Sequence, residues 1–367
     1  MTKKNILELC LSPDLGGLEL YMKSCVEMMK NDFNVISVIN ETSKLERYFT
    51  DNDFKYIKLK RKSSFSLFCS LKLAKIIDKN AIDIIHIHWT KDIPIVVLAK
   101  LFSKSKPKIV QTRHMTMTRF KDDFYHKFLY KNIDTILCVT KQVANQINKF
   151  ISEDIRPKVE VLYLGARNDK IVDKKELADY RQNLDSQNCL MLGLVGRINE
   201  FKGQYLLIEA MKELISKDLN IKAFIVGNAM DDSYLETLKT KLTKFNLNDS
   251  VKFLGFTKEP NKFMQACDVI LMTSKNETFG LVTIEAMQNG TCVIGANSGG
   301  VLEIIDDNET GLLFENSNVS SLTSKIEILY NNKELRDKLA LDGQKKANEC
   351  FNNDMQFKKL INIFNGL

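Results

Sequence analysis

The chain has 367 residues, of which 44% are hydrophobic and 27% are charged, with 16 Gly and 5 Pro. This length predicts two domains of roughly 100 to 200 residues each, and the composition excludes a disordered chain or a small disulfide-stapled module. The net charge of +7 arises in the first half, because residues 1 to 165 hold 28 basic and 18 acidic residues while the remainder hold 25 and 28.

The N-terminal segment is not predicted to be a signal peptide, because Glu8 interrupts its apolar stretch. The longest apolar run, 93–102, is about half of the roughly 20 residues that a bilayer span needs. We therefore expect a cytoplasmic protein. The basic excess over 55–75 and 100–131 favours an anionic partner such as a membrane face, a phosphorylated lipid or a nucleic acid, and a solvated lysine-rich surface explains it equally well.

Short apolar runs alternate with segments of helical period, which predicts βαβ units and a mostly parallel sheet in each half. In the first half, the predicted strands are 6–11, 34–39, 56–59, 82–88, 108–112, 135–139 and 159–162. In the second half, they are 189–195, 222–226, 251–254, 269–272, 291–296 and 312–314, followed by three helical segments over about 320–366. The periodicity lapses over 164–187. We predict a Rossmann-like domain at 1–170, a linker at 171–187 and a second Rossmann-like domain at 188–350, with a last helix at about 351–367 that packs back on the first.

Open α/β sheets bind ligands beyond the carboxyl ends of their strands, so chemistry is expected on strand-to-helix loops facing a cleft between the two lobes. The first such loop contains Gly16 and Gly17 before a helix. Paired glycines let backbone N–H groups approach an anion closely, and a tight turn explains the pair equally well. The loop matches neither a dinucleotide fingerprint nor a Walker loop.

The second half opens with a strand whose following loop contains Arg197 and Lys202. Two cations ahead of a helix repel each other and oppose its dipole, so a diphosphate is the natural ligand for them. A later loop reads Glu277-Thr-Phe-Gly-Leu281, and a second carboxylate, Glu285, follows eight residues after the first. A carboxylate on the second helical turn can accept both hydroxyls of a ribose, while the loop can hold a sugar and its phosphate.

These pieces resemble the retaining glycosyltransferases of family 4, which have the GT-B architecture of two facing Rossmann-like doubly wound parallel-sheet domains. The resemblance covers nearly the whole chain and rests on the Gly16-Gly17 loop and on five further motifs: 83–89 (DIIHIHW), 110–114 (VQTRH), 195–203, 277–287, and 299–305 followed by 310–314. It implies transfer of a hexose-type sugar from a nucleoside-diphosphate sugar to an acceptor hydroxyl, with the first lobe receiving the acceptor. Because the excess positive charge lies on that lobe, we expect a lipid-linked or lipopolysaccharide-type glycan acceptor and action at the inner face of the cytoplasmic membrane.

The resemblance assigns a role to each candidate residue. Arg197 and Lys202 would clamp the diphosphate, and Glu277 and His114 complete the predicted catalytic set. The predicted donor-binding residues are Gly16, Gly17, Phe279, Gly280, Leu281 and Glu285, with Glu285 on the ribose. The candidate acceptor-side residues are His88, Arg113 and Arg119. No cofactor or divalent metal is expected, because the two cations would stabilise the departing diphosphate, and the cysteines show no metal-binding spacing.

Three other readings compete with this one. A metal-dependent GT-A transferase needs an Asp-x-Asp after a strand, and Asp51-Asn-Asp53 has that spelling but precedes a strand. A nucleotide-sugar epimerase on the same architecture would isomerise the donor without an acceptor. A nucleic-acid-binding protein would use the basic first half, but the aromatic interleaving of a base-stacking platform is weak there.

Overall fold

The computed structural model describes residues 3–61, 63–167 and 170–367. The chain divides into two compact units, the first formed by Met1–Tyr163 with Met355–Leu367 and the second by Leu164–Asp354. Each unit contains one parallel sheet with helices in the connections between its strands.

The first unit has a seven-stranded sheet in the order β3-β2-β1-β4-β5-β6-β7. Its strands are β1 Asn5–Cys10, β2 Asn34–Asn40, β3 Tyr56–Leu59, β4 Ile84–Ile87, β5 Lys108–Arg113, β6 Thr135–Cys138 and β7 Lys158–Val161. Its helices are α1 Gly17–Met29, α2 Glu46–Asp51, α3 Leu67–Lys79, α4 Ile93–Phe102, α5 Phe124–Lys131 and α6 Lys141–Phe150.

The second unit has a six-stranded sheet in the order β10-β9-β8-β11-β12-β13. Its strands are β8 Leu190–Val195, β9 Ile221–Val226, β10 Val251–Gly255, β11 Val269–Met272, β12 Cys292–Ala296 and β13 Leu312–Phe314. The remaining helices are α7 Lys174–Asn183, α8 Gln204–Ile215, α9 Asp232–Lys244, α10 Pro260–Ala266, α11 Leu281–Gln288, α12 Val301–Ile304, α13 Val319–Asn331, α14 Lys333–Cys350 and α15 Asn353–Asn365.

All the predicted strands occur, with bounds that differ by no more than two residues. Buried parallel strands are covered on both faces, so they appear in a sequence as nearly continuous apolar runs with polar residues on either side. The fold prediction of two doubly wound parallel-sheet domains is confirmed.

The segment 171–187, predicted to be a linker, instead contains α7 and lies within the second unit. Arg181 on this helix forms an ion pair with Asp268 at 3.0 Å, and Glu176 pairs with Lys262 of α10. The charged residues that obscured the periodicity are therefore the outer face of a helix. The boundary between the units falls after Tyr163.

The last helix, α15, lies with the first unit. Phe357, Leu360 and Phe364 follow one another at helical spacing and are buried in a core with Ile6 and Val110 of the sheet. The acidic pair of the GT-A alternative lies at the end of α2 and in the turn that enters β3, where Asp53 has a φ of 53°. No helix in the described part of the chain is long and apolar enough to cross a membrane.

Each sheet has one place where successive connections run in opposite directions, between β1 and β4 in the first unit and between β8 and β11 in the second. The loops that leave the carboxyl ends of these strands diverge to either side, which opens a crevice for ligands. The predicted site residues follow these strands and β5, the neighbour of β4.

Candidate functional site

In the second unit, the loops after β8 and β11 are joined by an ion pair. The Nζ atom of Lys202 lies 2.6 Å from Oε2 of Glu277, and the two side chains are 28% and 20% exposed. The partners are 75 residues apart in sequence and meet because β8 and β11 are neighbours in the sheet. Two residues predicted to be catalytic thus lie in direct contact.

The backbone around Lys202 fixes this geometry. Gly203 has a φ of +69°, and a Cβ atom there would lie 2.2 Å from the carbonyl oxygen of Thr273. The hydroxyl of Thr273 donates to the carbonyl of Lys202 at 2.8 Å, and the N–H of Lys275 donates to the carbonyl of Phe201 at 3.0 Å. The close approach of the two loops therefore requires glycine at position 203.

Two further glycines, Gly299 and Gly300, position Glu277. The N–H of Gly300 donates to the carbonyl oxygen of Glu277 at 2.9 Å. Gly299 has a φ of +62°, and a Cβ atom there would lie 2.0 Å from the same oxygen. The loop of Glu277 is thus held on one side by the ion pair to Lys202 and on the other by backbone that only glycine permits.

Arg197 is exposed on the loop after β8, and its carbonyl accepts from the buried Nε2 amide of Gln204 at 3.0 Å. Within the described residues, no carboxylate lies at ion-pair distance from its guanidinium. The sequence predicts two uncompensated cations at Arg197 and Lys202. In the structure, Lys202 has Glu277 as a counter-ion, and only Arg197 of the two has none among the described residues.

The residues of the predicted sugar-binding loop differ in what they expose. Gly280 precedes α11 with a φ of +102°, and as the N-cap residue it supplies no capping side chain. The Phe279 ring is buried, with its centroid 6.1 Å from that of Phe351. A ligand can therefore meet the backbone here but not the Phe279 ring. Leu281 and Glu285 are half-buried, and Glu285 lies on the second turn of α11 as predicted.

In the first unit, the Gly16-Gly17 loop leads from β1 into α1. The N–H of Gly16 donates to Oε2 of Glu19 at 2.8 Å, so a buried carboxylate already caps the helix. A Cβ atom placed on Gly17 would meet nothing within 4 Å, and neither glycine has a positive φ. Glycine at position 17 is therefore not required by the chain's own packing, and open space lies beside its backbone.

A buried carboxylate, Glu8 of β1, joins two histidines. Its Oε1 lies 2.9 Å from Nδ1 of His86, and its Oε2 lies 2.5 Å from Nε2 of His88. The other ring nitrogen of His86 lies 2.7 Å from the hydroxyl of Thr112. The strands β1, β4 and β5 are adjacent, and the chain Thr112–His86–Glu8–His88 crosses them.

Sequence reasoning missed Glu8 as a site residue. The signal that could have found it is an acidic residue in the middle of an otherwise apolar strand, since an acidic side chain is almost never fully buried without a partner. Together with Cys25, the group places four ligand-type atoms within 4.8 Å of one another. Both carboxylate oxygens of Glu8 already pair with a histidine nitrogen, so hydrogen bonds satisfy the carboxylate.

Burial and the neighbouring charges shift the pKa values of this group. Burial raises the pKa of Glu8, but the charges and hydrogen bonds of the two histidines outweigh it and lower the pKa to about 2. Burial lowers the pKa of His88 to about 4, and His86 contributes in the same direction. The carboxylate is therefore ionised and His88 is neutral at neutral pH.

His114 lies just beyond β5 beside this group. Its ring centroid is 5.3 Å from that of Tyr21 and 6.1 Å from that of His88. Burial, followed by the charges of His88 and His86, holds the pKa of His114 well below its usual range. Its Nε2 atom is buried, and no described residue forms a hydrogen bond with it. Buried polar atoms nearly always have a partner, so this nitrogen is available to a ligand.

The candidate acceptor-side residues separate in the structure. His88 is buried with its Nε2 atom at hydrogen-bond distance from Glu8, and no described residue partners its Nδ1 atom, so its acceptor-side role stays a prediction. Arg119 is exposed on the loop between β5 and α5. Arg113 is buried, and its guanidinium donates to the carbonyls of Met115 and Thr116 at 2.8 and 3.1 Å.

Fold and site together define a class of protein. The chain has two parallel-sheet α/β units. In the second unit, the loop with Arg197 and Lys202 and the Glu-x7-Glu segment follow the neighbouring strands β8 and β11. This combination defines a glycosyltransferase of the GT-B type. The family model "Glycosyl transferase 4-like" matches residues 8–140 and "Glycosyl transferases group 1" matches residues 178–346. The chain belongs to these family 4-type glycosyltransferases.

Individual relatives agree with this assignment. The chain is 28% identical over 341 residues to an uncharacterised glycosyltransferase of Methanocaldococcus jannaschii, covering 90% of each chain. It is 24% identical over 359 residues to the capsular polysaccharide biosynthesis glycosyltransferase CapM of Staphylococcus aureus, covering 94% of this chain and 93% of the relative. Among solved structures, HepE of Anabaena in complex with UDP has a TM-score of 0.88 at 19% identity, and the match covers 99% of this chain and 100% of HepE. HepE has also been crystallised with UDP-glucose.

Proposed function

We propose that this glycosyltransferase transfers a hexose-type sugar, with retention of configuration, from a nucleoside-diphosphate sugar to a hydroxyl of a lipid-linked or lipopolysaccharide-type glycan. The observation that carries the proposal is the arrangement in the second unit, where Arg197 has no carboxylate partner among the described residues and Lys202 pairs with Glu277. The HepE structures with UDP and UDP-glucose support a uridine nucleotide as the first donor to test.

The donor would be held by the second unit. Arg197 and Lys202 would contact the diphosphate, and Glu285 would accept the ribose hydroxyls. The first turn of α11 would offer N–H groups to the sugar or its phosphate, because Gly280 provides no capping side chain. Glu277 would hold Lys202 in place and face the sugar. In the first unit, Gly16, Gly17 and His114 remain proposed donor contacts.

The chemistry asks the protein mainly for electrostatic stabilisation. The bond between the anomeric carbon and the diphosphate oxygen breaks, a bond from that carbon to the acceptor oxygen forms on the same face, and the acceptor proton leaves with the diphosphate. Negative charge grows on the diphosphate, and the fixed Arg197 and Lys202 cations would stabilise it, which is usually the largest single catalytic effect. We propose that no divalent ion is required, because these cations supply the needed charge.

His114 has a different role in this proposal. Its pKa lies well below the usual range, so the ring is neutral near pH 7 and cannot serve as an acid there. A neutral ring can still exchange a hydrogen bond with a sugar hydroxyl through the unpartnered Nε2 atom. His114 would therefore orient the sugar rather than transfer a proton.

Thermal unfolding in a panel of UDP, GDP, ADP and CDP sugars tests the donor, because a ligand that binds the native state raises its stability by mass action. We expect one nucleotide class to raise the melting temperature and Arg197→Ala to remove most of that rise. Product analysis with and without a glycan acceptor then tests the reaction. Isomerisation of the sugar by the protein alone would contradict transfer and identify an epimerase.

We further propose that the first unit docks on an anionic membrane, at the inner face of the cytoplasmic membrane. Phe65, Phe68 and Leu71 are exposed at the start of α3, and Lys72 lies over the Phe68 ring at 4.5 Å. Phe124, at the start of α5, is 89% exposed. Exposed aromatic and basic residues on short helical segments suit the lipid headgroup region.

Co-sedimentation with vesicles tests the docking. We expect binding to rise with the fraction of anionic lipid, to fall with salt, and to weaken in Phe68→Ser. Leu341→Ser is the matched control, because Leu341 is equally exposed, at 67%, but lies on α14 of the second unit. Binding that ignores anionic lipid, or that both variants weaken alike, would contradict the proposal.

A further inference from the structure

A cavity of about 190 Å³ lies in the first unit, beside the start of α4 and α5. It is lined in part by Thr90, Lys91, Arg113, Lys121 and His126, and we call it the basic cavity. None of its described lining residues is Asp or Glu. The volume is below the roughly 300 to 1,000 Å³ of sites for drug-sized ligands, so the cavity suits a single small group.

Arg113 is the strongest indication of what that group is. The side chain is buried, and it donates to the carbonyls of Met115 and Thr116 and, at 3.3 Å, to the hydroxyl of Thr90. Within the described residues, no carboxylate lies at ion-pair distance from the guanidinium. A buried charge normally has a counter-charge, because neutral oxygens replace only part of the lost hydration. Among the described residues, this guanidinium therefore has only neutral oxygens as hydrogen-bond partners, and its charge is left for an added anion to balance.

Lys121 faces the same space. Partial burial, together with the positive charges of Arg119 and Arg113, lowers the pKa of Lys121. Its Nζ atom lies 3.4 Å from Nε2 of His126, whose other ring nitrogen bonds the carboxylate of Asp123. The Asp123 carboxylate bonds His126, and its charge also opposes the lowering of the Lys121 pKa, but it does not line the cavity. Lys121 and Arg113 both line the cavity, and none of its described lining residues is acidic.

We propose that the basic cavity binds a phosphate group carried by the acceptor substrate. Several N–H donors and two or three positive charges around a small cavity match the three oxygens and the charge of a phosphate. The inference rests on the proposed transferase function and adds the chemical class of the acceptor, a phosphorylated or diphosphorylated molecule. Tyr125 lines the cavity, and its neighbour in sequence, Phe124, is exposed at the start of α5, which places a lipid-borne phosphate first among the sources.

Calorimetric titration of the whole protein with inorganic phosphate and with inorganic diphosphate tests the site. We expect Lys121→Gln and Lys91→Gln each to weaken binding about tenfold, the loss typical of one hydrogen bond to a charged group. Lys44→Gln is the matched control, because Lys44 is an exposed lysine of the same unit that does not line the cavity. Arg113→Gln is expected to lose binding further, with circular dichroism to verify that it folds.

Equal phosphate affinity of wild type, Lys91→Gln and Lys121→Gln would overturn the proposal. Displacement of bound phosphate by phosphatidic acid in phosphatidylcholine vesicles assigns a lipid-borne phosphate, whereas displacement only by glucose 1-phosphate assigns a soluble acceptor. Displacement by neither would overturn the acceptor assignment. Binding of UDP to the Lys121→Gln protein is measured separately. If phosphate binds as expected while no sugar nucleotide binds any variant, the cavity stands and the proposed donor function fails.

Discussion

The ion pair between Lys202 and Glu277 gives the sharpest separation of stability from activity. Lys202→Gln removes one partner of a pair whose side chains are 28% and 20% exposed. Partly exposed pairs contribute about 1 kcal/mol or less to folding, because solvent screens the charges and ordering the side chains opposes the gain. In a domain of this size, that corresponds to a fall in melting temperature of about 2 to 4 °C.

The expected effect on catalysis is much larger. If Lys202 stabilises the departing diphosphate in a water-excluded site, its loss raises the barrier by about 2 to 4 kcal/mol. This corresponds to a fall in kcat/KM of about 30- to 1,000-fold. Glu277→Gln should lower activity as well, because Lys202 would lose the carboxylate that holds it in place.

Lys241→Gln provides the matched control. Lys241 pairs with Glu209 at the same 2.6 Å, and those side chains are 36% and 27% exposed, in the same unit. We compare the two variants by thermal unfolding and by the rate of nucleoside diphosphate release. The donor in the rate assay is the one identified by the nucleotide panel. We expect similar melting temperatures and a loss of rate only in Lys202→Gln. Equal rates in the two variants would refute the role of Lys202 at the diphosphate.

Three further predictions address the glycine loops and the buried histidine group. Gly17→Ala should leave thermal stability unchanged or slightly raised, since its Cβ would meet nothing within 4 Å and alanine favours a helix, but it should weaken binding of the donor in calorimetry; unchanged affinity would remove this loop from the donor site. Gly299→Ala should lower both the melting temperature and the donor affinity, because its Cβ would lie 2.0 Å from the carbonyl oxygen of Glu277; a variant as stable as wild type would show that this loop can move at no cost. Stability in urea should fall as the pH is lowered. His88, with a folded pKa of about 4 against a usual 6.5, contributes stability that is complete above pH 6.5 and is lost, on the order of 3 kcal/mol, as the pH falls towards 4, while Glu8 loses its contribution between about pH 4.5 and 2. A flat profile from pH 7 to 4 would contradict the assignment of His88.

Local sequence patterns predicted the strands well because each one is a short apolar run bounded by polar residues. The charged stretch over 171–187 misled the prediction, since α7 is amphipathic only weakly and has no buried residue. Polar contacts join α7 to its unit: Arg181 pairs with Asp268 and also donates to the carbonyls of Ala266 and Cys189, and most of these partners are far from it in sequence.

The site was predictable to the extent that its residues belong to local motifs. The Arg197 to Lys202 loop and the Glu277 to Glu285 segment each follow a strand, so their placement at a strand end could be read directly. Partners across strands could not. Neither Glu8 with His88, nor Lys202 with Glu277, has any local signal that names the other, because the hydrogen bond depends on which strands are neighbours.

The sequence by itself determined that this protein has two parallel-sheet units and which loops carry its charged and glycine-rich motifs, since hydrophobic periodicity and glycine positions are local properties. The tertiary structure alone decided which charges are compensated. It gave Lys202 a carboxylate and left Arg197 and Arg113 without one among the described residues, and it buried Phe279 and His88. Charge compensation and burial depend on the order of strands in a sheet, and that order is set by the packing of the whole unit.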